Sequence, residues 1–146
     1  MSSTIGVDCE VILDSVGYWI RPNSYTVRQP RIRQATIRAD GSEGYVDLGP
    51  GKREWSMTIL CINDLMTYSG VSTGISGQQY RDMLHASYIN SIGSTINFTD
   101  PTNNTFSVHL DSFAEHIPDL HGQITALATG GSLACSYEVT IALVEA

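Results

Sequence analysis

Four histidines, three cysteines and one run of arginines are the residues here whose chemistry invites a functional reading. His109 and Asp111 alternate onto the polar side of one short segment, and His116 and His121 flank "IPDL" with Asp119 between them. Two histidines five apart beside a carboxylate can touch a metal, but the spacing matches no common zinc pattern. His85 stands apart. Serines are plentiful enough to draw a Ser/His/Asp triad, yet no nucleophile-elbow sequence accompanies them. "GPGK", from Gly49 to Lys52, lacks the length and the following Ser or Thr of a phosphate loop, and no dinucleotide fingerprint is present. The residues therefore predict no catalytic site, no metal and no cofactor; an enzyme is not expected.

Cys9, Cys61 and Cys135 are widely spaced and odd in number, which argues against a disulfide framework. Each falls in a strand-like run, so buried free thiols are expected. Tyr18, Trp19, Tyr25, Tyr45 and Trp55 crowd the first third. Such rings line a sugar-binding face or an intersubunit contact, or else they fill a core. Trp55 is assigned to the core; Trp19 stays open.

The charge is unevenly placed. The net charge is −7, yet seven of the eight strong bases lie between Arg21 and Arg53. Arg21, Arg28, Arg31, Arg33 and Arg38 form a strip within "RPNSYTVRQPRIRQATIR", with Asp40, Glu43 and Asp47 following, and Arg81 is the one base outside. A basic strip on an acidic chain can pair head to tail with copies of itself, or it can be a solvated strand. The five arginines are therefore candidate subunit-interface residues. Duplex binding is disfavoured by the acidic field of the whole chain.

The elements that must position these residues are mostly strands. At 146 residues, 42% hydrophobic and 16% charged, the sequence suits one globular domain over residues 1–146. "CEVIL", "GYWI", "YTVR" and "RIRQATIR" are strand candidates, with Pro30 marking an edge or a break. "ADGSEG" is turn chemistry, and "YVDL" followed by "GPGK" reads as a strand and a second turn. "EWSMTILC" puts Trp55, Met57, Ile59 and Cys61 on one face. "SGVSTGISG" is a loop, and "GQQYRDMLHASYIN" is a helix with Ser76 as its cap and Gly93 near its end. Its stripe of Tyr80, Met83, Leu84, Ser87 and Tyr88 faces inward.

"INFTDPTNNTFSVHLDSF" is a hairpin whose second strand buries Phe106, Val108 and Leu110 and leaves Ser107 and His109 more exposed. "CSYEVTIALVEA" closes the chain as a long strand, expected at the centre of a sheet. The expected class is mainly β: an antiparallel β-sandwich or split β-barrel with one flanking α-helix. No basic, apolar leader stands in "MSSTIGVDCEV", and no apolar run approaches the ~20 residues of a bilayer span, so synthesis in the cytoplasm and no membrane association are expected. The sequons at Asn97 and Asn103 matter only in a secreted eukaryotic chain.

This order of signals, from Arg53 to Ala146, resembles bacteriophage tail-tube domains and the similar ring-forming domain of distal tail proteins. The resemblance is carried by Phe98, Asp100 and Pro101 at the turn, Val108 and Leu110 in the next strand, and Leu143 and Glu145 at the close. The turn lacks the glycine often seen there. The chain also lacks room for the further carbohydrate-binding-like domain of distal tail proteins, which favours a tube or a compact adaptor ring. The resemblance implies a virion structural protein of the tail, forming stacked and often hexameric rings. Its partners would be copies of itself and other tail proteins, with DNA passing through without specific binding. The alternative is a β-sandwich module that binds a glycan or a protein through Tyr18, Trp19 and their neighbours.

Overall fold

The computed structural model describes residues 4–63, 65–118 and 136–146. Among them are nine strands and one helix. In chain order these are β1 (Val11–Leu13), β2 (Val16–Ile20), β3 (Thr26–Arg28), β4 (Arg31–Ile37), β5 (Glu43–Pro50), β6 (Glu54–Cys61), α1 (Gly77–Asn90), β7 (Ile96–Thr99), β8 (Thr105–His116) and β9 (Tyr137–Glu145).

Six of the described strands close an antiparallel barrel in the order β2, β1, β7, β8, β9, β6, with β2 returning to β6 through Trp19–Leu60 and Ile20–Ile59. The mainly β class with a flanking helix holds, and of its two forms the barrel is the one present. The long terminal strand β9 lies between β6 and β8, inside the sheet as expected. β3 continues along the same edge of β6 that β2 leaves, pairing Arg28 with Glu54. Between the two strands the Ser24 hydroxyl accepts from the Thr58 amide, and the Arg21 amide donates to the Thr58 carbonyl. A loop thus satisfies a backbone rung that no strand covers.

The alternation read from sequence sets the core. Trp55, Met57, Ile59 and Cys61 from β6 meet Tyr137, Val139, Ile141 and Leu143 from β9 in the buried cluster. β8 adds Val108 and Leu110, while Phe106, expected to be buried, is half-buried against Trp55 and under the Arg53 guanidinium. Ser107 is exposed and His109 intermediate, both more exposed than Val108 and Leu110 as expected. The helix spans the residues predicted for it and buries Tyr80, Leu84 and Ser87. Ser76 accepts from the Gln79 amide and the Gln79 side chain accepts from the Ser76 amide, a complete capping box. At the β7–β8 turn, Asp100 Oδ1 accepts from Thr102 N, Thr102 Oγ1 and Asn104 N, and Asn103 takes the left-handed conformation the turn requires. Cys9 and Cys61 are buried free thiols; Cys135 lies outside the described residues.

β4 and β5 do not belong to the barrel. They pair only with each other, as a two-stranded arm. Pro30 marks the break, since the chain leaves the barrel there and returns at Gly51, whose amide donates to the Pro30 carbonyl. Gln29 ties the same root by donating to the Gly51 carbonyl. Gly51 is buried, and a Cβ there would sit 2.8 Å from the Pro30 oxygen, so the root closes only on glycine. The first half of the expected "GPGK" turn, Gly49 and Pro50, is strand: the register shifts by one residue opposite Ile32 and Arg33, and Gly49, at φ 92°, absorbs the irregularity.

A projecting arm and a cleft at opposite ends of the barrel

The arm carries three of the five arginines of the basic strip, and the structure pairs three of the five within the chain. Arg21 meets Glu138 at 3.6 Å, Arg28 meets Glu54 at 3.8 Å and Arg31 meets Asp47 at 3.0 Å. Arg53, just beyond, meets Glu145 at 3.8 Å. Arg33 and Arg38 are exposed and have no carboxylate at ion-pair distance among the described residues. Arg38 sits at the tip, its guanidinium lying over Gly44, in a turn where Asp40 accepts from the Ser42 amide and hydroxyl. Those two hydrogen bonds hold the exposed Asp40 carboxyl below its ordinary range. From Arg31 to Pro50 three arginines face three carboxylates, so the arm itself is neutral.

What sets the arm apart is its apolar surface, which sequence reasoning missed. Cross-strand pairing puts Ala35 beside Tyr45 and Ile37 beside Glu43 on one face, and Gln34 beside Val46 on the other. Ile37 is 82% exposed and Tyr45 66%; Ile32, Val46 and Leu48 are exposed as well. Neither face has a core beneath it. Isolated two-stranded ribbons are marginal in water, and exposed apolar clusters of this kind mark interaction surfaces. Alternating residues do signal strands, but they do not tell which strands lack a second layer.

At the other end of β6 a cleft of about 480 Å³ opens between the β1–β2 turn, the loop preceding the helix, and α1. Val16, Val71, Ile75, Tyr80 and Met83 make its apolar wall, with Asp8 among its polar lining. The loop holds its shape through backbone bonds from Thr67 to Val71, Thr73 to Leu65 and Tyr68 to Val7. Among the described residues, Val7, Met66, Tyr68 and Val71 around it form another concentration of exposed large apolar side chains, and Ile89 and Ile92 at the end of α1 are exposed as well.

The remaining candidates disperse. His116 is exposed at the end of β8, and His121 and Asp119 lie outside the described residues. His85 packs in an aromatic group with Tyr88 and Phe113. Among the described residues no three His, Cys, Asp or Glu side chains are grouped to hold a metal. Tyr18 is fully buried in the core cluster, whereas Trp19, 9% exposed, stands outside that cluster on the opposite face of β2, its ring edge-on to the exposed Tyr68. No described helix is long and apolar enough to cross a membrane. No protein-family model matches the sequence, and no curated protein matches it.

Proposed function

We propose that this chain is a structural protein that assembles head to tail with copies of itself, as a ring or stacked ring of the phage tail-tube class. The observation that carries the reading is the arm, a twenty-residue excursion between Arg31 and Pro50 with large apolar side chains on both faces and no role in its own barrel's core. Such a ribbon gains stability by lying on a neighbour. An arm on one copy and its receiving surface elsewhere on the next make a heterologous contact, the kind that closes rings or extends tubes. The net charge of −7 suits a conduit, because a surface that neutralises few phosphates lets DNA pass without holding it.

The test removes the arm and keeps the barrel. The Pro30 carbonyl and the Gly51 amide are already hydrogen-bonded, so a two-glycine linker can replace residues 31–50 without opening the barrel. Sedimentation velocity should show oligomers for the full chain and a folded monomer, by circular dichroism, for the armless one. A full chain that stays monomeric at high concentration contradicts the proposal.

A further inference from the structure

The two concentrations of exposed apolar side chains stand at opposite ends of one strand. β3 leads into the arm beside Glu54, the first residue of β6, whereas the cleft lies beyond Cys61, the last. Eight residues of strand separate them by about 26 Å. Both faces of the arm are exposed, so it does not lie back along its own barrel. An arm at one end and a cleft at the other face each other only when a second copy is stacked in the same orientation.

The chemistry of the two ends matches. Among the described residues, the tip presents the most exposed large apolar side chain, Ile37, next to Arg38, which has no carboxylate partner among them. The cleft presents an apolar wall and, at Asp8, a half-buried carboxylate with no cation at ion-pair distance among the described residues. Its volume, about 480 Å³, lies within the roughly 300–1,000 Å³ that ordinarily receives a ligand. Resting on the assembly proposed above, we infer that the arm tip of one copy seats in the cleft of the next. Ile37 enters against Val16, Val71, Ile75 and Met83, and Arg38 pairs with Asp8. The contact is heterologous, so each copy gives one tip and receives one.

Cysteine pairing tests the seat in the full chain. Ile37→Cys and Val71→Cys variants, mixed and mildly oxidised, should form a disulfide-linked dimer, while neither variant alone should cross-link beyond the wild-type background. Charge exchange supplies the second measurement. Asp8→Arg and Arg38→Asp should each lower the assembled fraction at least tenfold by sedimentation, and the double exchange should restore it. Cross-linking of Ile37→Cys with itself would mean a two-fold contact and would overturn the inference. So would unchanged assembly in both single variants, or a mixture that fails to cross-link while wild type sediments as an oligomer. That last result leaves the assembly proposal standing; a monomeric wild type removes both.

Discussion

Burial governs the thiols. It pushes Cys61 up from 9.0 to about 12, with Glu115 adding to the shift and Arg81 opposing it, and pushes Cys9 up to about 11, helped by Asp8 and Glu10. Above pH 9 the unfolded chain gives up thiol protons that the folded chain keeps, so raising the pH favours unfolding. The stability contribution is complete below pH 9 and is lost as pH climbs through the folded values. Tyr25, raised from 10.0 to about 12 by burial first, extends the loss at the alkaline end. Urea midpoints should therefore be flat from about pH 7 to 8.5 and fall by pH 10. Cys9→Ala with Cys61→Ala should flatten the first part of that decline, and an unchanged slope would contradict it. The inward faces of β6 and β9 and the burial of Cys9 and Cys61 were legible because period-2 alternation is local. The ion pairs of Arg21 and Arg28 were not, because Glu138 and Glu54 come from distant strands, and a linear count of charge cannot see them.

Within β8, Leu110 points into the barrel and His109 stands half out of it. Leu110→Ala should lower stability by about 2–5 kcal/mol, whereas His109→Ala should cost about 0.5 kcal/mol or less, as read by denaturant unfolding. Equal losses would mean the strand's faces are assigned wrongly. At the arm's root, Gly51→Ala sets a methyl 2.8 Å from the Pro30 carbonyl oxygen and 3.2 Å from its ring. We expect this change to leave the barrel's unfolding midpoint nearly unaltered while reducing assembly, since it re-aims the arm rather than opening the core. A midpoint that collapses, with assembly intact in the remaining folded fraction, would refute that separation. The sequence marks β4, β5 and the break at Pro30, but it places a turn where Gly49 and Pro50 continue the strand. It also attributes the segment's interest to its arginines. Arg31→Glu with Arg33→Glu remains informative, because Arg31 braces the arm through Asp47 while Arg33 has no such partner among the described residues. That pair should give a folded barrel with impaired assembly.

At the scale of the molecule, the described residues form a closed barrel with unlike ends, one extended into an apolar, charge-balanced arm and the other opened into an apolar cleft beside an acid. A closed barrel has few free sheet edges to recruit copies at random, so the proposed association rests on the arm and the cleft. Burying an arm of this length at each contact multiplies around a ring, so assembly should be cooperative in concentration rather than a gradual dimerisation. The mainly β class and the helix could be read from periodicity and capping, whereas the polarity of the ends could not, because it arises from which strand pairs with which. The most direct measurement is negative-stain electron microscopy of the purified full chain at high concentration. Head-to-tail assembly predicts closed rings or stacked tubes of uniform diameter that disappear when residues 31–50 are replaced by the short linker. Uniform single particles of monomer size in both proteins would contradict it.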